Sequence, residues 1–255
     1  MSFAANQLLA GRKVLVTGAA RGLGFDFASA IAEAGASVVM ADILADRLAE
    51  SVEQLKRRDL AVSGVAVDLA DPASIERCAK QAVETLGGLD GLVNNAAITN
   101  SGGRSSEQLE IGMFDKVMTV NVRGTWLMCN ACLPALRACG RGSIVNLASD
   151  TALWGAPNLM AYVASKGAVI AMTRSLAREA GSDNVTVNAI APGLTLVEAT
   201  EYVPQARHDT YHNGRALQRA QVPEDVSGAV VFALSDLSRF ITGQLLAVNG
   251  GFVMN

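Results

Sequence analysis

This chain of 255 residues is short of several things, and each shortage excludes something. It has four cysteines, two histidines, six prolines and only 5% aromatic residues. Four cysteines in a chain of this length do not make the disulfide framework of a small secreted domain, so reduced thiols are expected. No uninterrupted apolar run approaches the ~18 residues that a membrane-spanning helix needs. The opening Met1-Ser2-Phe3-Ala4-Ala5-Asn6-Gln7 lacks a charged leader and a long apolar core, so it does not read as a signal peptide. There is no excess of positive charge: 21 Lys and Arg stand against 24 Asp and Glu, giving a net charge of −3. Nucleic acid is therefore not an expected partner. No Pro- or Ser-rich linker and no internal repeat interrupts the sequence. The expectation is a cytoplasmic protein with one domain over residues 1–255.

What is present is a large apolar content, half of all residues. Short apolar runs alternate with longer helical patterns from end to end. The expected strands are Lys13–Thr17, Ser37–Ala41, Ser63–Val67, Gly91–Asn94, Ser143–Leu147, Thr186–Ile190 and Leu245–Val248. They are rich in Val, Leu and Ile without strict alternation, as in strands covered on both faces. The segments between them are long enough for crossover helices. Leu23, Phe27, Ile31 and Ala34 recur at helical spacing, and Gly35 follows as a stop. The pattern predicts an α/β fold: a doubly wound, seven-stranded parallel sheet with helices on both faces. Two stretches break the rhythm. Asn100–Glu110 is polar and reads as a loop. Residues 195–219 have poor periodicity, hold both histidines and two of the three tyrosines, and read as an irregular insert over a site.

The first expected strand runs into Gly18-Ala19-Ala20-Arg21-Gly22-Leu23-Gly24, and a helix follows. The spacing G-x-x-x-G-x-G is not the standard dinucleotide fingerprint, but the same physics applies. Glycines allow a tight turn and close approach to a ligand, and the helix start offers free N–H groups to a pyrophosphate. Asp42 closes the second strand, 18 residues past Gly24, where an acid can accept hydrogen bonds from ribose hydroxyls. A carboxylate there repels a 2′-phosphate, and Ile43 follows where a phosphate site would place Arg. This favours NAD over NADP. Arg21 is the counter-argument, because it lies close enough to reach a phosphate. Asp42 could also cap the following helix.

Tyr162-Val163-Ala164-Ser165-Lys166 places a phenol and an amine four residues apart, on one face of a helix. A phenol ionises near pH ~10, and an adjacent ammonium pulls that value down. A shift of ~3 units corresponds to roughly 4 kcal/mol and would give a proton shuttle usable near neutral pH.

Together these motifs resemble the short-chain dehydrogenase/reductase family in its single-domain form, over essentially the whole chain. Thr17-Gly18-Ala-Ala-Arg21-Gly22-Leu23-Gly24 matches the family's cofactor turn, and Asp68, with Leu69 beside it, the acid that contacts adenine. Asn94-Asn95-Ala96-Ala97 matches its N-N-A-G element, with Ala97 in place of Gly. Pro192-Gly193-Leu194-Thr195 matches the nicotinamide-side turn. Ile241-Thr242-Gly243-Gln244 and Gly250-Gly251 match the C-terminal signature, with Asn249 where Asp is more usual. The resemblance implies a catalytic set of Asn121, Ser149, Tyr162 and Lys166. Tyr162 would exchange a proton with a substrate oxygen, and Ser149 would hold that oxygen. Lys166 would depress the tyrosine pKa and hold the nicotinamide ribose, and Asn121 would anchor a water leading to Lys166. It also implies a homotetramer, in which Gly251–Met254 could pack at an interface.

The expected reaction is NAD-dependent interconversion of a secondary alcohol and a ketone, or of an aromatic or cyclic alcohol and its carbonyl. Ile98, Trp154, Leu194 and Tyr202 would form an apolar, partly aromatic substrate wall; Trp154 could instead lie at a subunit interface. Residues 155–162 resemble catabolic alcohol dehydrogenases of the family, pyridoxal- and phenylethanol-type among them. The alternatives are an NADPH-dependent 3-oxoacyl-carrier-protein reductase and a dinucleotide-sensing module without catalysis. Cys129-x-x-Cys132 and His208-x-x-x-His212 could together supply zinc ligands. No second Cys-x-x-Cys exists, however, and the cysteines lie on a helix expected over Thr125–Leu136, so no metal is expected. The absence of a G-x-S-x-G elbow argues against a serine hydrolase.

Overall fold

The computed structural model describes residues 7–254, so the opening segment 1–6 lies outside the described residues. Its centre is a seven-stranded parallel sheet. The strands are β1 (Lys13–Thr17), β2 (Ser37–Asp42), β3 (Val62–Ala66), β4 (Gly91–Asn94), β5 (Ser143–Leu147), β6 (Thr186–Pro192) and β7 (Leu245–Val248). All seven expected strands are present, with β2 one residue longer, β3 one residue early and β6 two residues longer. The spatial order is β3-β2-β1-β4-β5-β6-β7. The order reverses between β1 and β4, which opens a crevice at the carboxyl ends of the strands, the usual ligand position in such sheets.

Among the described residues there are nine α-helices: α1 (Gly22–Glu33), α2 (Ala45–Lys56), α3 (Pro72–Leu86), α4 (Ile111–Met118), α5 (Thr125–Ala138), α6 (Thr151–Trp154), α7 (Met160–Ala180), α8 (Gln205–Gly214) and α9 (Glu224–Leu234). Val14, Val16, Val38 and Met40 face a core with Phe27 and Ile31 of α1, Leu55 of α2 and Val230 of α9. Leu15, Val39, Leu92 and Ile144 face the opposite core, with Ile75 of α3, Met128 and Leu136 of α5 and Leu176 of α7. Alternate residues of one strand thus enter different cores, and this is why the strands read as continuous apolar runs. Each fully buried Leu, Ile or Phe contributes roughly 1.5–3 kcal/mol.

Some helix ends are set locally. Asp71 caps α3 by accepting from Ala73 N–H at 2.9 Å, Pro72 starts it, and Gly87 ends it at φ +65°. α1 begins with no side-chain cap, which leaves its first N–H groups for another acceptor.

The insert at 195–219 is more ordered than expected. It holds a short 3₁₀ turn (Glu198–Thr200) and α8, which carries both His208 and His212. α8 buries only Tyr211, so it has no apolar period for a sequence reading to detect. The Asn100–Glu110 loop likewise contains one 3₁₀ turn (Ser106–Gln108). Among the described residues no helix is long and apolar enough to cross a membrane.

Candidate active site

A cavity of about 400 Å³ opens at the reversal of strand order. Its floor is the glycine-rich turn. Gly18 and Gly22 have φ +67° and +55°, a region that side chains rarely adopt. A Cβ on Gly24 would stand 2.0 Å from the Gly18 carbonyl oxygen, and one on Gly18 would stand 2.7 Å from Ala96 Cα. Arg21 and Leu23 line the cavity beside them. The uncapped start of α1 lies at the same turn, so its N–H groups and positive dipole end suit an anion. A turn that closes this tightly only with glycine, at a helix start whose N–H groups have no side-chain cap, fits the pyrophosphate of a dinucleotide.

Asp42 lines the cavity at the end of β2 and is buried. Its Oδ2 accepts from Ala20 N–H and its Oδ1 from Leu44 N–H, both at 3.0 Å. The carboxylate therefore joins the glycine turn to the approach to α2. It does not cap α2; the N-cap residue is Leu44, which has no side-chain cap bond. Ile43 is 63% exposed at the rim. Asp68 and Leu69 line the far end, where Asp68 Oδ1 accepts from Ala70 N–H. Asn95, Ala96 and Ala97 form one wall. Asn95 Nδ2 donates to the carbonyls of Thr17 and Gly18, and Thr17 Oγ1 accepts from the N–H groups of Asn95 and Ala96. Asn95 thus braces the turn, a role its motif position alone did not suggest. Pro192, Gly193 and Thr195 line the opposite wall.

Ser149, Tyr162 and Lys166 line the same cavity. Ser149 follows β5, and its Oγ lies 2.9 Å from Thr151 Oγ1. Tyr162 and Lys166 share a face of α7, with Nζ 5.6 Å from the phenol ring centroid. Lys166 donates to the Leu147 carbonyl at 2.6 Å. Burial raises the Tyr162 phenol above its ordinary value, with the Ser149 hydroxyl opposing that shift. Burial also lowers the Lys166 ammonium to about 8. This corrects the expected depression of the tyrosine: desolvation acts on both partners and dominates at this site.

Asn121 is buried just behind the cavity rather than lining it. It sits in a π-helical turn (Thr119–Gly124) between α4 and α5. Its side chain accepts from Ile98 N–H at 2.8 Å and donates to the Ile98 carbonyl and Ser165 Oγ, each at 3.1 Å. It therefore pins the strand exit after β4 to α7.

The four candidate substrate residues are dispersed. Ile98 is held by Asn121. Tyr202 donates to the Thr99 carbonyl at 2.7 Å and is half exposed. Leu194 lines a neighbouring cavity with Leu196, His208, Tyr211, His212 and Arg215. Trp154 lines neither of these cavities. It packs edge-on against Tyr211 and Phe252, whose centroids are 6.2 and 5.5 Å away. Phe252 also stacks on Tyr211 at 4.2 Å, so this part of the C-terminal segment turns inward instead of presenting an apolar end. Beneath the cluster lies Asp150, wholly buried and with its carboxyl raised to about 6 by desolvation. Val197, Ala199 and Thr200 line the main cavity as well. Nothing in the polar insert marked them in sequence.

Among the described residues no group of three or more His, Cys, Asp or Glu side chains could hold a metal. Cys129 and Cys132 face the core from α5, and burial pushes the Cys129 thiol up to about 12.

The fold agrees with what the chain is similar to. The family profile described as Enoyl-(Acyl carrier protein) reductase matches residues 18–253. A 3alpha-hydroxysteroid dehydrogenase of Mediterraneibacter gnavus is 35% identical over 95% of this chain and 97% of its own. The 3-oxoacyl-[acyl-carrier-protein] reductase FabG of Thermotoga maritima is 33% identical over 96% of this chain and 99% of its own. The crystal structure of levodione reductase superposes with a TM-score of 0.90 at 29% identity, covering 95% of this chain and 98% of that one. The chain belongs to the short-chain dehydrogenase/reductase family, a family of nicotinamide-dependent oxidoreductases.

Proposed function

We propose that this oxidoreductase interconverts a secondary alcohol and a ketone with NAD, using Tyr162 as proton donor and acceptor. One observation carries the reading: Ser149, Tyr162 and Lys166 line the same cavity as the glycine turn and Asp42. The bound nicotinamide supplies hydride transfer, and the chain supplies position and charge. The glycine turn and the start of α1 hold the pyrophosphate. Asp42 takes the adenosine ribose hydroxyls, Asp68 and Leu69 flank the adenine, and Pro192, Gly193 and Thr195 flank the nicotinamide. Ser149 donates to the substrate oxygen. Tyr162 gives that oxygen its proton in reduction and removes it in oxidation. Lys166, cationic below about pH 8, stabilises charge that develops on the phenol.

The dehydrogenase named for 3alpha-hydroxysteroids supports a ring-bearing alcohol as substrate. A panel of cyclic and aromatic secondary alcohols with NAD⁺, using Tyr162→Phe as the blank, tests the reading. No oxidation of any of them would overturn it. The likeness to FabG favours a second reading, an NADPH-dependent 3-oxoacyl reductase. Preference for NADPH over NADH in a fluorescence titration would select it. We also propose a cytoplasmic homotetramer joined through the helices after β4 and β5 and the C-terminal segment; Ile111 and Trp126, on the helices after β4, are 80% and 46% exposed. A monomer in light scattering would contradict this.

A further inference from the structure

Three charged side chains meet where the glycine turn, the start of α2 and the segment after β6 converge. Arg21 Nη1 stands 2.5 Å from Glu198 Oε1, and Arg47 Nη2 stands 4.0 Å from Glu198 Oε2. Arg47 also reaches Glu50 at 3.5 Å. Arg21 and Asp42 both line the main cavity, and Arg47 lies in the first turn of α2, just beyond Asp42. Glu198 comes from the other side, between Val197 and Ala199, which line that cavity too. The side chains of Arg21, Arg47 and Glu198 are 45%, 55% and 46% exposed, so none is locked in the core.

Two guanidiniums beside a ribose site make a good phosphate receptor, because each offers a rigid fork of donors. Taken alone, Arg21 and Arg47 argue for a 2′-phosphate and against Asp42. Glu198 removes the conflict. Its Oε1 is hydrogen-bonded to Arg21, its Oε2 stands at long ion-pair distance from Arg47, and it adds a second carboxylate to the region a 2′-phosphate would enter. A dianion there would have to displace Glu198 and tolerate Asp42.

We propose that Glu198 is a cofactor-selectivity residue, whose carboxylate occupies Arg21 and Arg47 and so withholds them from the 2′-phosphate of NADP. The proposal rests on reading the cavity as the dinucleotide site. It makes selectivity a joint property of Asp42 and a residue 156 positions away in the insert.

The test is direct titration of NADH and NADPH, followed by nucleotide fluorescence, in the wild type and in Glu198→Gln. NADPH should bind about fivefold tighter in the variant, the scale of an exposed ion pair, with NADH nearly unchanged. Adding Arg21→Ala and Arg47→Ala should abolish the gain, and raising the salt should shrink it. Because Glu198 is half exposed, its replacement does not open the core; Glu198→Ala, as a second variant, should give the same ratio. An unchanged NADPH-to-NADH ratio, or equal tightening of both, would overturn the proposal. A failure of the NAD assignment looks different: the wild type would itself prefer NADPH, while the effect of Glu198→Gln is still read against that wild type.

Discussion

The Tyr211 hydroxyl donates a 2.7 Å hydrogen bond to Asp150 Oδ1. That bond ties α8 to the residue next to Ser149. Trp154 Nε1 reaches the same hydroxyl at 3.3 Å, and Arg215 lies over the Tyr211 ring at 5.0 Å. Among the described residues the other carboxyl oxygen of Asp150 has no hydrogen-bond partner. Removing the hydroxyl with Tyr211→Phe strips a buried carboxyl of its donor, so a loss of roughly 1–3 kcal/mol is expected. Urea denaturation at pH 7 measures it. A loss close to zero would mean that the latch is not stabilising.

Asp150 also sets a pH dependence. Its carboxyl is raised to about 6 by burial, so between about pH 4 and 6 the folded state binds a proton that the unfolded state has released. This contribution is fully present below about pH 4 and is lost as the pH rises toward 6. It amounts to at most roughly 3 kcal/mol at ~1.36 kcal/mol per unit. Asp26, raised to about 6 by burial and by Glu224, acts in the same direction. Asp150→Asn should flatten its share of the slope, as read from denaturation midpoints at a series of pH values. An identical slope in wild type and variant would refute this.

Lys166 gives the opposite sign. Its ammonium is lowered to about 8 by burial, so the unfolded chain holds the proton more tightly than the folded one between about pH 8 and 10.5. Stability from this group therefore rises across that window. At pH 7 the buried charge costs up to roughly 3 kcal/mol. Lys166→Met is expected to be more stable than wild type at pH 7 and far less active. Calorimetry and an alcohol-oxidation assay on the same preparation check both halves.

Tyr162→Phe should reduce turnover by roughly 10²–10⁴, the range for general acid–base catalysis, and leave NADH binding nearly intact. Steady-state rates and a fluorescence titration separate the two effects. Loss of both in parallel would point to a role in binding instead.

Gly24→Ala should abolish dinucleotide binding, because the new methyl would lie 2.0 Å from a backbone oxygen of the turn. Circular dichroism reports whether the sheet survives, and NADH titration reports the site. A variant that binds NADH normally would show that the turn relaxes freely.

Much of the molecule was legible in one dimension. The seven strands read correctly because both faces of the sheet are covered, which makes each strand apolar throughout, as in Val14-Leu15-Val16. The tight glycine turn and the shared helix face of Tyr162 and Lys166 are legible because their geometry is set by residues a few positions apart. The sequence determined these by itself, since backbone sterics and helical spacing act locally. Tertiary structure alone decided the rest. Trp154 joined Tyr211 and Phe252, and Arg21 met Glu198, across 57 to 177 residues. α8 went unrecognised because a helix that buries one residue has no periodic signature. The direction of the Tyr162 and Lys166 shifts was likewise decided by the fold. An adjacent charge is visible in a sequence, but the desolvation that outweighs it is a property of everything packed around the pair.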